Sequence, residues 1–218
     1  MLATLCGWSS PALAQFGPPA SRLEVGFGAL WIGAEPLGTR PATETTGVGG
    51  AAVLFNSSSE LAGAVGIEGR VGLRLSRSLV AEAEASYLKP QLRIAISADA
   101  EGAAAVTATE TVQQFTLGGN VLWYPMGARW SSRRFAPFAM AGAGYLRQLH
   151  DQGTLLATGR FYQVGGGVSG LLVSRRHFRT NGIGVRADVR ALVRSEGVAF
   201  DGGSKVSPAV GAALFVRF

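Results

Sequence analysis

Val185-Arg-Ala-Asp-Val-Arg-Ala-Leu-Val-Arg194 alternates apolar and polar side chains over almost its whole length. Successive side chains of a β-strand point to opposite faces, so Val185, Ala187, Val189, Ala191 and Val193 share one face. Arg186, Asp188, Arg190 and Arg194 occupy the other. A helix would scatter both sets around its axis. One face therefore carries no charge, and the other carries charges of both signs.

The same period of two recurs along the chain and predicts eight strands. Leu23, Val25, Phe27, Ala29 and Trp31 oppose Glu24, Gly26 and Gly28. Ile67, Gly69, Val71, Leu73 and Leu75 oppose Glu68, Arg70, Gly72 and Arg74, and Leu79 to Tyr87 oppose Glu82, Glu84 and Ser86. Lys89-Pro90 then breaks the phase, as a bulge or rim irregularity does. Phe115 to Trp123 oppose Gln114, Thr116, Gly118 and Asn120, and Tyr162, Val164, Val168 and Leu172 oppose Gln163, Gly165, Gly167 and Ser169. The last strand sets Val210, Ala212, Leu214, Val216 and Phe218 against Gly211, Ala213, Phe215 and Arg217. The fifth, 135–149, is rich in Ala and Gly; its larger apolar residues Phe138, Met140 and Leu146 are expected outward, with Tyr145 and Arg147 inward.

At 218 residues, 47% of them hydrophobic, the chain suits a single β domain, yet it offers no apolar run of the roughly 18 residues that a spanning helix needs. The first fifteen residues are uncharged, and Ala12-Leu13-Ala14 before Gln15 matches a secretory cleavage site, so 1–15 is expected to be a signal peptide and 16–218 the barrel. Cys6 lies within the leader, which leaves the mature chain without thiol chemistry.

A soluble ligand-binding barrel points its apolar face inward, and a membrane barrel inverts this. Arginine facing the bilayer midplane costs about 2–4 kcal/mol, so the charged face is expected to line the lumen. Glu24, Glu68, Glu82, Glu84 and Asp188 would there meet Arg70, Arg74, Arg147, Arg186, Arg190, Arg194 and Arg217 in an ion-pair network. Eight strands enclose only enough space for side chains, so a plug and not an open pore is expected. Outward aromatics sort into two girdles, Trp31, Tyr87, Phe115 and Tyr162 above, and Trp123, Phe138 and Phe218 below.

Connections alternate in length. The long ones, near 34–62, 97–109, 150–158 and 195–206, are expected outside the cell and collect Glu35, Glu44, Glu60, Asp99, Glu101, Glu110, Asp151, Glu196 and Asp201. The short ones are expected in the periplasm and collect Arg77, Arg129, Arg133, Arg134, Arg175, Arg176 and Arg179. This partition accounts for the net charge of +6 without nucleic acid, whose binders gather basic residues on one exposed face.

Four stretches together resemble small bacterial outer-membrane β-barrel proteins of the OmpA/OmpX type. They are Ala12-Leu-Ala-Gln15, Phe135-Ala-Pro-Phe-Ala-Met-Ala-Gly-Ala-Gly-Tyr145, Gly184 to Arg190, and Val210-Gly-Ala-Ala-Leu-Phe-Val-Arg-Phe218. The resemblance implies a Gram-negative cell envelope, the outer membrane as location, and contact with outer-membrane lipid and lipopolysaccharide. It also implies that the terminal Phe218 serves as the signal read by the barrel-assembly machinery.

The sequence offers no catalytic or metal-binding constellation. His150 and His177 are the only histidines, too few for a zinc site, and no serine lies two positions from His150 to form a nucleophile–base pair. Glu82 and Glu84 share a face as glycosidase carboxylates do, but arginine-bearing neighbours favour salt bridging. Gly165-Gly-Gly167 lacks the Lys-Ser/Thr of a phosphate loop. The expectation is an all-β, eight-stranded antiparallel up-and-down transmembrane barrel, non-enzymatic, without cofactor or metal, monomeric, with a structural or surface-interaction role through an unidentified loop partner. A small-molecule or hydrophobic-compound carrier or porin-like channel is the first alternative, and a lipid A-modifying enzyme the second.

Overall fold

The computed structural model describes residues 22–45, 50–97, 100–125, 135–150, 154–173, 182–195 and 204–218. The leader at 1–15, His177, Asp99, Asp151, Glu196 and Asp201, and every arginine assigned to the short turns except Arg77, lie outside the described residues.

Eleven strands follow in order: β1 (Leu23–Ile32), β2 (Glu35–Thr45), β3 (Ala51–Leu61), β4 (Ala64–Arg74), β5 (Leu79–Leu88), β6 (Gln91–Ser97), β7 (Val106–Trp123), β8 (Ala136–His150), β9 (Leu155–Val173), β10 (Gly182–Ser195) and β11 (Lys205–Arg217). They make eight crossings, because β1 and β2 are one strand bent at Gly33-Ala34, β3 and β4 one bent at Ala62-Gly63, and β5 and β6 one bent at Lys89-Pro90. Every crossing pairs antiparallel with its neighbours in sequence, and β11 pairs with β1 to close the ring. The result is a closed, up-and-down, eight-stranded antiparallel barrel.

The bends are held by backbone bonds: the Gly33 N–H donates to the Pro208 carbonyl at 2.8 Å, Ala62 to Gln91 at 2.8 Å and Val112 to Pro90 at 2.9 Å. Above them β2, β3, β6 and the first part of β7 continue as a sheet beyond the barrel body. The span 34–62, expected to be a loop, is therefore largely a hairpin. β2 pairs among the described residues with β3, and the prolines Pro36 and Pro41 on it suit an edge strand, since they lack a ladder N–H. A bulge between Pro36 and Gly38 falls where Gly38 has φ of 119°, a conformation that disfavours a side chain.

The predicted facing holds on seven crossings. Val25, Phe27, Ile67, Val71, Leu117, Val121, Val164, Val189 and Leu214 are exposed on the outer wall, and their sequence neighbours turn into the lumen. The fifth crossing is a correction. Phe138, Met140 and Leu146 on β8 are buried inside, and Tyr145 and Arg147 point out. The larger side chains are needed inside as filler, while Ala139, Ala141 and Ala143 suffice on the outer wall. Phe138 consequently leaves the lower girdle, in which the exposed Phe135 joins Trp123 and Phe218. Trp31, Phe115 and Tyr162 are exposed and Tyr87 half-buried, with the Tyr87 and Phe115 rings 4.7 Å apart.

Candidate functional site

The lumen is a stack of alternating polar and apolar layers, described here from the end that carries the 74–79 turn. At the lowest level Arg217 Nη2 donates to Glu24 at 2.7 Å, with Arg74 beside the pair. Next comes an apolar floor of Leu122, Tyr124, Ala136, Phe138 and Met140, in which the Tyr124 and Phe138 rings lie 5.5 Å apart. The Arg186 guanidinium rests 4.4 Å above the Phe138 ring, a favourable place for a cation on a negative π face.

On this floor stands the central cluster. β4 supplies Glu68 and Arg70, β5 supplies Glu82 and Glu84, and β10 supplies Arg186, Asp188 and Arg190. Because each pair is spaced by two, each strand delivers its charges to the same face. Arg186 bonds Glu82 at 2.5 Å, and Arg70 bonds Asp188 at 2.8 Å and also pairs with Glu68. Arg190 is the hub, reaching Glu68 at 2.9 Å, Asp188 at 2.9 Å and Glu84 at 3.1 Å. Four carboxylates thus face three guanidiniums, all buried. The excess of one carboxylate is eased by neutral donors: Glu84, which shares Arg190, also accepts from Asn120 at 2.8 Å and from Gln163 at 2.5 Å, and Gln163 donates to the Asn120 side-chain oxygen at 2.6 Å. Hydrogen bonds and ion pairs of this kind are the condition under which buried charges are tolerated, and Arg70 Nη1, Arg186 Nε and Arg190 Nε are the cluster's nitrogens left without a hydrogen-bond partner among the described residues.

The wall must be thin where the network is thick. Gly165 and Gly167 on β9 face the lumen opposite Arg190 and Asp188, and a Cβ on either would come within 2.9 Å of those residues. Gly142 and Gly144 of β8 likewise leave room for the Asn120 amide and the Phe161 ring.

Above the cluster an apolar layer of Leu30, Ile32, Leu88, Leu146, Phe161, Leu192 and Ala209 fills the barrel. A void of about 20 Å³, room for roughly one water, runs beside this layer from Glu84, Gln163 and Arg190 up to Gln114 and Arg194, and one of about 10 Å³ lies below the cluster between Glu24 and Arg70, Glu82 and Arg186. Higher still, the buried Glu35 pairs with Arg194 and accepts from Ser207, while Gln114 accepts from Arg194 at 3.3 Å and from Gln148 at 3.1 Å. Leu37, Leu61, Leu92 and Val112 cap the stack inside the extension.

Of the charged residues expected in one network, Glu68, Arg70, Glu82, Glu84, Arg186, Asp188 and Arg190 meet. Glu24 and Arg74 lie below with Arg217, and Arg194 lies above in a separate pair. Arg147 belongs to the outer wall. Glu35, expected in an outer loop, is luminal, because the chain bends at Gly33-Ala34 and resumes as a strand. Asn120, Gln163 and Gln114 were visible on the polar faces of their strands, but without charge they gave no signal of partnership. Glu82 and Glu84 are each held by an arginine, and His150 pairs at the upper rim with Glu110. Phe218 is exposed at the lower end, its N–H donating to the Leu23 carbonyl at 2.8 Å.

No protein-family model matches the chain, and no curated protein matches it in sequence. Among solved structures, it is similar to the outer membrane protein OprG from Pseudomonas aeruginosa, with a TM-score of 0.54 and 12% identity over 91% of this chain and 95% of that one. The fold is that of an outer-membrane β-barrel.

Proposed function

We propose that the protein is a non-enzymatic outer-membrane barrel whose filled lumen makes it a rigid, non-conducting scaffold. It would present the β2–β3–β6–β7 extension outside the cell and the short turns to the periplasm. Two properties support membrane residence: the fold, and an outer wall of exposed Val, Leu, Ile and Phe side chains that water would not tolerate over such a continuous surface. The barrel body closes on itself, so the open edges among the described residues belong to the extension, and Pro36 and Pro41 blunt the one on β2, which suits a monomer.

The carrying observation is the central cluster packed between two apolar layers, with voids of only about 20 and 10 Å³ beside it. A hydrated ion crossing this stack would have to part Arg190 from three carboxylates and then cross a layer of Leu, Ile and Phe. The test is electrical. Full-length protein refolded into planar bilayers should give no unitary conductance steps at applied voltages that leave the bilayer intact. Reproducible steps would overturn the scaffold reading in favour of a channel.

A further inference from the structure

The corrected phase of β8 puts Arg147 on the outer wall, where β9 already carries Arg160. Arg147 stands opposite Thr158, and Arg160 stands opposite Tyr145, which makes the two arginines diagonal neighbours on adjacent strands. Both are exposed, and neither forms an ion pair with a described residue. The outward neighbours across the strands are Phe115 beside Arg147 and Ser195 beside Arg160, so among the described residues no carboxylate flanks the pair. The carboxylate higher on β7, Glu110, is engaged by His150.

Height gives the pair its meaning. From Leu172 up to Tyr162 the outward face of β9 is apolar apart from glycine. That length rises ~34 Å along the strand and ~25 Å along the barrel axis at a tilt of ~45°, the thickness of an outer-membrane apolar band. Arg160 follows Tyr162 at the next outward position, and Arg147 follows Tyr145 in the same way. The arginines thus mark the line where hydrocarbon gives way to headgroups, on the wall below the extension. Diagonal neighbours on a sheet are ~7–8 Å apart at the backbone, a span that lets two guanidiniums converge on one phosphate or on two phosphates of one headgroup. Aromatic rings of Tyr145, Tyr162 and Phe115 border the spot and can pack against the sugar or upper acyl region of the same molecule.

We infer that Arg147 and Arg160 form an exterior site for a phosphorylated lipid headgroup of the outer leaflet. The inference rests on the membrane reading above and adds a defined partner to it. An outward arginine at the bilayer midplane would be costly, whereas at the interface that cost largely vanishes and a phosphate turns the side chain into a donor of paired charge-assisted bonds.

The test uses full-length protein refolded in detergent and titrated with diphosphorylated lipid A, with bound lipid counted by native mass spectrometry. Wild type should retain the phosphorylated lipid at least tenfold better than dephosphorylated lipid A. The R147Q/R160Q double variant should lose that preference, and Arg77→Gln at the opposite end should keep it. Inorganic phosphate at millimolar concentration should not displace the lipid. Equal retention of both lipids by wild type, or an unchanged preference in the double variant, would overturn the site, as would displacement by inorganic phosphate. Failure of wild type to insert into lipid vesicles in a parallel heat-modifiability assay would instead strike the membrane reading itself.

Discussion

Replacing Arg190 with alanine removes the one side chain that touches three of the four central carboxylates. The consequences differ among them. Glu68 and Asp188 keep Arg70, whereas Glu84 loses its only arginine and retains only the Asn120 and Gln163 amides. Four carboxylates would then face two guanidiniums in a buried layer with room for about one water. Breaking a buried ion pair from one side costs about 3–5 kcal/mol, mostly because the stranded charge cannot be rehydrated. With a urea slope of about 2 kcal/mol/M, the unfolding midpoint of vesicle-refolded protein should fall by about 2 M. Glu84→Gln in the same background should recover about 1–2 kcal/mol, because it removes the stranded charge, while its new NH2 meets the Asn120 or Gln163 NH2 and requires that amide to turn over. In the wild-type background the same change should destabilise. Tryptophan fluorescence against urea reads all four corners of the cycle. A loss below about 1 kcal/mol for Arg190→Ala, or strictly additive behaviour of the pair, would refute a sealed, mutually dependent network.

Val189 lies between Asp188 and Arg190 but faces outward and is 60% exposed, so Val189→Arg should cost about 2–4 kcal/mol in bilayers and lower the fraction inserted into vesicles, measured by protease protection. Gly167→Ala would place a Cβ 2.1 Å from the Ala187 carbonyl oxygen and should delay or prevent formation of the heat-resistant gel band. Gly69, with nothing within 4 Å of an added Cβ, should accept alanine with a change inside about 1 kcal/mol. Glu35→Ala strips the buried Arg194 of its carboxylate but leaves Gln114, so a loss smaller than that of Arg190→Ala, about 2–3 kcal/mol, is expected in the same urea assay.

Much of this was legible in the sequence wherever one strand face was charged and the other apolar. Arg186 to Arg194 could be placed on the inner wall because no other assignment spares the bilayer a row of charges. β8 misled because Ala and Gly alternate with Phe and Met, and neither face is polar. The assumption that the bulkier residues seek lipid neglected the floor and upper layer that Phe138, Met140 and Leu146 must fill. The hairpin of β2 and β3 escaped for a related reason. Ser57-Ser58-Ser59 offers no contrast between faces, and two prolines discount β2 as a strand. Glu35 was lost with it. Partnerships were out of reach as well, since which arginine meets which carboxylate depends on stagger between strands distant in sequence, as in Arg190 with Glu68. The uncharged Asn120 and Gln163 become indispensable only once the cluster is seen to hold one carboxylate more than it has guanidiniums.

The central claim is an inverted barrel, apolar outside in lipid and filled within. It is tested most directly by spin labels placed singly at positions 115 to 123 of β7, in a Cys6→Ser background, on protein refolded into vesicles. Collisions with oxygen, which concentrates in lipid, should peak at Phe115, Leu117, Gly119, Val121 and Trp123 and drop at Thr116, Gly118, Asn120 and Leu122, with a water-soluble nickel reagent excluded from the peaks. A flat profile, the opposite phase, or free access of the nickel reagent to Leu117, Gly119 and Val121 would contradict it.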